Sequence, residues 1–290
     1  MRKLLLLLTL STFSLLILNS CEEENLITGA STNQGNSTNS PTTGSNTGTT
    51  TTTTKCYVKT IVEVEDGDTY TNKLAYNTKN LLTTSDQDGA LSTYEYDANN
   101  RVTKLTLVDG AGVETYTYSY DSKGNMSNIK YTAKNTPVSL FITEYKLTTN
   151  ASGQVSQVTA VTEDGNIDFI LEYQGNNIKK LIASADGKKE TLIENLTFDA
   201  KSNVFVNAGL AKANIPFIIV GAFFGTNMTK FVNANNVLTD KLLGVFSTDP
   251  VTTTYKYEYS KDNLPTKMTY IQIDGKDKLE GSATYTYDCK

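Results

Sequence analysis

The chain of 290 residues contains no histidine and no tryptophan, and only three cysteines. Without histidine the usual general base, the usual metal ligand and every serine–histidine nucleophile pair are excluded. No glycine-rich loop leads into a helix to cradle a phosphate, and no EF-hand-like spacing of acids is present. Glu65, Asp66 and Asp68 form an acidic group that could bind calcium weakly, but a hairpin turn accounts for them. Hydrolysis of glycosides by carboxylates alone survives in principle, although most aspartates sit in turn clusters where a structural role suffices. The sequence therefore predicts no enzyme, no cofactor, no metal and no catalytic residue.

Basic patches are missing too. Of 26 basic side chains, Arg2 and Lys3 belong to a leader, and their removal leaves 24 against 31 acids, a formal charge of −7. That balance argues against nucleic acid, which is bound through clustered Lys and Arg. The leader has a basic start, an apolar stretch from Leu4 to Leu18 and a small polar exit, the pattern of a signal peptide over residues 1–20. Leu18-Asn19-Ser20-Cys21 resembles a bacterial lipobox, which makes Cys21 the expected lipid carrier. Glu22, Glu23 and Glu24 resemble the acidic export signal of Bacteroidetes lipoproteins. The expected address is the outer membrane, lipid-anchored at the cell surface, with the periplasmic leaflet as the alternative.

Residues 21–55 continue from that cysteine as a Ser/Thr/Asn/Gly tether ending in six threonines. So few apolar groups cannot repay the entropy of ordering. As a flexible coil it would average about 30 Å end to end.

Residues 56–290 are one domain's worth of chain. Runs such as "TYTYSY" (115–120), "VTKLTLV" (102–108) and "TYKYEY" (254–259) alternate with period two, the strand signal. Asp-Gly clusters at 66–67, 88–89, 109–110, 164–165, 186–187 and 274–275 separate them, where tight hairpins need positive φ. A second punctuation is "YEYDANNRV" (94–102), echoed in "YSYDSKGNM" (118–126), "LTFDAKSNV" (196–204) and "YEYSKDNLP" (257–265). The strand ends Tyr76, Tyr96, Tyr120, Thr149, Tyr173, Phe198, Tyr259 and Tyr287 are spaced by 20, 24, 29, 24, 25, 61 and 28 residues. Two strands and two turns fill an interval of about 24, so the expectation is all-β: an antiparallel meander of roughly 14 strands.

Tyr-x-Tyr-Asp-x-x-Gly/Asn followed by an apolar pair resembles the YD repeats of Rhs-type shells. The lipobox, tether and repeats together resemble a family of Bacteroidetes outer-membrane lipoproteins of unknown function with a porin-like β fold. The resemblance implies no activity. A membrane-spanning barrel needs an apolar, lipid-facing band, whereas alternate positions here carry Thr103, Lys104, Thr106, Lys130, Gln157, Lys179 and Lys267. A soluble barrel or strongly curled sheet is expected.

The interval of 61 marks a short, partly helical apolar insertion at 205–250, with Pro216 suited to a first helical turn. It would plug or cap one end and bury Phe217, Ile218, Phe223 and Phe224, or else dock a partner. Cys56 and Cys289 stand at opposite ends of the domain, and closure of the meander would make their strands neighbours and allow a disulfide. In an open sheet they would be two separate thiols. The functional expectation is a non-catalytic binding or structural protein. Its partners would be the membrane, through the lipid, and a glycan or another envelope protein, met by tyrosine faces such as Tyr116, Tyr118, Tyr120 and Tyr255, Tyr257, Tyr259. Those tyrosines could equally form a core-facing ladder. The alternative function is a carrier enclosing an apolar ligand, with 205–250 as its lid.

Overall fold

The computed structural model of the chain describes residues 55–136, 142–205, 208–243 and 249–289. Cys21, the leader and the tether to residue 54 lie outside the described residues. The first half of the wall is β1 (Cys56–Glu65), β2 (Asp68–Tyr76), β3 (Leu82–Gln87), β4 (Ala90–Tyr96), β5 (Val102–Asp109), β6 (Gly112–Tyr120), β7 (Met126–Lys134) and β8 (Ile142–Thr149). The second half is β9 (Val155–Thr162), β10 (Gly165–Gln174), β11 (Asn177–Ala185), β12 (Lys188–Ser202), β13 (Asn235–Leu242), β14 (Val251–Tyr259), β15 (Pro265–Asp274) and β16 (Asp277–Cys289). Every strand pairs antiparallel with its chain neighbour, and β16 pairs with β1 to close a barrel.

Sixteen strands stand where the spacing predicts roughly fourteen, and the difference lies in the counting. Eight repeat anchors lie at or near the ends of eight strands, whereas seven intervals between them omit the β1–β2 hairpin that precedes Tyr76. Alternation places each side chain as period two requires. On β4, Ala90, Ser92 and Tyr94 are buried while Leu91, Thr93 and Glu95 are exposed.

Both turn types form as the sequence predicts. Asp66-Gly67, Asp88-Gly89 and Asp186-Gly187 have positive φ at both residues, the conformation that matches hairpin twist. At the other rim, the Asp97 carboxylate accepts the backbone N–H groups of Asn99 and Arg101, both at 2.9 Å, and Asn100 takes φ +61°. The same turn recurs with Asn77, Asp121, Asn150 and Ser260 in the place of Asp97. A short side-chain acceptor that bonds its own backbone two and four residues on is what these positions share.

The preceding tyrosine has a separate task. Tyr76, Tyr96, Tyr120, Tyr173 and Tyr287 each donate their hydroxyl to the carbonyl that opens the previous strand, at Val58, Leu82, Val102, Val155 and Pro265. Each hairpin is thus stitched at its open end. A bulge follows every such turn, and Thr83, Ser127, Ser156 and Thr266 at the bulges donate their hydroxyls to the facing strand's carbonyls.

A barrel of this strand number ordinarily leaves an aqueous channel. Here the chain leaves the wall after β12, enters through the rim of tyrosine turns and fills the lumen with α1 (Ala208–Ala213), α2 (Ile215–Phe223) and a 3₁₀ turn (Met228–Phe231). The sequence of α2, "IPFIIVGAF", is apolar all round, and a helix with no polar face must be enclosed. Residues Ile215 to Ala222 are all buried. The expected insertion at 205–250 is therefore a plug, but a shorter one. Asn235–Leu242 is wall strand β13, which has neither an Asp-Gly turn nor a Tyr-x-Tyr signature to announce it. Phe217 and Ile218 are buried as expected, whereas Phe223 and Phe224 are half-buried.

Candidate functional site

Aromatic pairs and amides fasten the plug to the wall. Phe217 packs on Tyr116 with ring centroids 4.8 Å apart, Phe223 on Phe169 at 5.7 Å and Phe205 on Tyr285 at 5.6 Å. The Tyr118 hydroxyl donates to the Ala213 carbonyl at 3.2 Å. Below these lies a polar knot: the Asn227 amide donates to Asn195 Oδ1 at 2.8 Å and to Asp240 Oδ2 at 2.7 Å, while its carbonyl accepts from the Thr229 hydroxyl and backbone N–H. Asn195 donates in turn to Thr229 and to the Ile178 carbonyl. Inside a barrel each such group needs a partner, since burying it unpaired is costly.

Beside the knot is a partly open cavity of about 170 Å³. Glu63, Lys230, Phe231, Asp240, Tyr255 and Tyr270 define its chemistry. It lies towards the rim of Asp-Gly turns, where half-buried Glu65, Tyr70, Gln272 and Leu279 form its edge. The Lys230 ammonium stands 5.0 Å from the ring centroid of Phe231, 5.6 Å from Tyr255 and 5.8 Å from Tyr270. Asp240 is fully buried; its Oδ2 accepts from Asn227 and from the Tyr255 hydroxyl at 2.9 Å. Burial raises the Glu63 carboxyl against the opposing charge of Lys230, and raises Asp240 against the hydrogen bonds it accepts. Tyr270 donates to Glu65, and it reaches there because Gly281 faces it across β15–β16. A Cβ at 281 would sit 2.4 Å from the Tyr270 ring.

Of the site residues expected from the sequence, Cys21 lies outside the described residues. Cys56 and Cys289 are register partners across the closing strand pair and form a disulfide, with Cα atoms 4.0 Å apart. The tyrosine faces turn inward: Tyr116, Tyr118 and Tyr255 are buried, and Tyr120, Tyr257 and Tyr259 half-buried. They form the core-facing ladder. Among the described residues no group of three His, Cys, Asp or Glu side chains is placed to hold a metal. Glu63, Asp240 and Lys230 escaped the sequence reading; strand parity turns Glu63 inward, but nothing local announces its companions.

Glu114, also facing the lumen, offers a test of its polarity. Burial raises its carboxyl, against hydrogen bonds from Tyr116 and Tyr131. An acid raised on folding favours the folded state below its ordinary value of 4.5, and that contribution is lost as pH rises through the folded value. Glu114→Gln should therefore raise the melting temperature at about pH 8 and leave it unchanged at about pH 4. A loss of stability at the higher pH would mean that the ionised carboxylate is the form the lumen holds.

The geometry defines a closed, plugged, sixteen-stranded antiparallel barrel built of YD-type hairpins. Residues 76–113, from the end of β2 into β6, match the RHS repeat family. A crystal structure of a porin-like protein from Bacteroides uniformis is similar over 80% of this chain and 98% of that one, at 16% identity and a TM-score of 0.47. A porin-like protein from Bacteroides vulgatus covers 81% of this chain and 99% of its own, at 10% identity and a TM-score of 0.39. The TcdB2-TccC3-TEV structure covers 78% of this chain at 15% identity and a TM-score of 0.32, and the match spans 13% of that longer chain. No curated protein matches the chain.

Proposed function

We propose that this is a lipid-anchored cell-envelope protein, displayed at the surface of the outer membrane, whose plugged barrel has a non-catalytic binding or structural role. The outer face of the barrel carries this reading. Thr117, Ser119, Lys130, Thr132, Lys146, Thr148, Lys256, Glu258 and Thr286 are exposed along it, and among the described residues the exposed large hydrophobics are Val64, Leu91, Ile271 and Ile273. Such a wall suits water and lacks the apolar band that lipid demands. An envelope protein with this wall needs a separate attachment, which Cys21 and the polar tether supply. Several acyl chains, at about 0.8 kcal/mol per buried CH₂, hold a protein durably without a spanning segment.

The lumen speaks against a carrier of apolar ligands. Plug side chains fill most of it, and the cavity beside the polar knot has Glu63, Asp240 and Lys230 among apolar side chains such as Met228, Phe231 and Met268 and is smaller than the roughly 300–1,000 Å³ of ordinary ligand pockets. Cys21→Ser is expected to move the protein from the membrane fraction to the soluble fraction, and protease added to intact cells expressing the wild type should release the barrel by cutting the tether. Retention of Cys21→Ser in the membrane fraction would mean the barrel itself is embedded. Protection in intact cells, with cleavage after lysis, would place the protein on the periplasmic leaflet.

A further inference from the structure

Opposite charges in the cavity are held apart. Lys230 has three aromatic rings around its ammonium and forms no ion pair with a described carboxylate. Asp240 is 0% exposed, and its Oδ1 has no hydrogen-bond partner even though Oδ2 accepts two donors. Glu63 lines the same space from β1. A fully buried carboxylate oxygen without a donor is costly unless something completes it, and the half-buried Lys230 ammonium has ring faces but no carboxylate against it. The cavity's volume of about 170 Å³ is close to that of an engineered cavity of about 150 Å³ that holds benzene, so a molecule of a few heavy atoms fits.

We propose that this cavity binds a small zwitterion of amino-acid size, its carboxylate against Lys230 and its ammonium against Asp240 Oδ1 and Glu63. The two poles require a ligand bearing both signs. An anion would leave the acids uncompensated and face their repulsion, and a cation would leave Lys230 without an acceptor. Phe231 and Tyr270 give the ligand's short apolar part a surface to rest on, and Gly281 keeps that surface in place by admitting the Tyr270 ring. The inference does not depend on the lipid anchor, because the site lies wholly within the wall and plug.

Isothermal titration of the full-length chain in detergent with glycine, L- and D-alanine, L-serine and L-valine tests it. At least one should bind saturably with Kd of about 1 mM or tighter, and acetate and methylamine, each bearing one of the two charges, should bind at least about tenfold more weakly. Lys230→Met and Asp240→Asn should each weaken binding by about tenfold or more. Circular dichroism reports whether each variant keeps its fold, and the single-charge probes test the idea on the wild type alone. No saturable binding by any of the five up to about 10 mM would overturn the proposal. So would acetate or methylamine binding as tightly as the amino acids, or undiminished binding in a folded Lys230→Met.

Discussion

Replacing Cys56 and Cys289 together by serine is expected to lower the stability of the barrel by up to about 5 kcal/mol, read as a fall in the urea midpoint against the oxidised wild type. The reason is topological. Fifteen of the sixteen wall pairings join strands consecutive in the chain, but the β1–β16 pair joins residues such as Cys56 and Cys289 that are 233 apart. The entropy of bringing those ends together falls on this one seam. A covalent link across it restricts the unfolded chain in advance, and the effect grows with the length of the closed loop. Against a total stability of about 5–15 kcal/mol, the loss is a large fraction. An unchanged midpoint would show that the hydrogen bonds of the β1–β16 ladder close the barrel unaided.

Asn227→Ala should cost about 3–5 kcal/mol, because it removes four hydrogen bonds at once among buried groups. Asn195 Oδ1 and the Thr229 backbone N–H lose partners, and Asp240 loses one of the donors to its carboxylate. The consequence extends beyond the stability figure. With the knot undone, the plug is held chiefly by its aromatic contacts, so proteolysis of the native protein should begin within residues 203–234 before it touches the wall. Asn227→Asp should be worse near neutral pH, since it sets a second carboxylate against Asp240. If Asn227→Ala stays within about 0.5 kcal/mol of wild type, the plug is fastened by its apolar surface and the amides are incidental.

The two predictions bear on different halves of the architecture, the seam and the plug, and their effects should add because no residue is shared between them. A double variant that falls well below the sum would reveal that the plug itself helps to close the wall. Phe205, which contacts both Tyr285 on β16 and Phe231 in the plug, is the residue through which such coupling would run.

The sequence by itself determined what depends on neighbours in the chain. Asp66-Gly67 and Asp88-Gly89 make tight hairpins because their own φ preferences do, and Asp97 or Asp121 folds a turn with atoms two and four residues away. Period two in "TYTYSY" fixes which side chains share a face, and the unbroken apolarity of "IPFIIVGAF" favours an enclosed helix. Cysteines at both ends of the domain allowed a disulfide on the condition that those ends meet, and closure of the barrel met it. Tertiary structure decided the rest. Tyrosine ladders that could have faced solvent or core turned to the core, because closure created an inside and α2 filled it. β13 joined the wall without a turn signature, since its partners β12 and β14 supply the ladder on both sides. Glu63, Lys230 and Asp240 meet around one cavity from positions up to 177 residues apart in the numbering. Each alone reads as an ordinary polar residue, and only the closed barrel, by removing water from between them, makes their charges count.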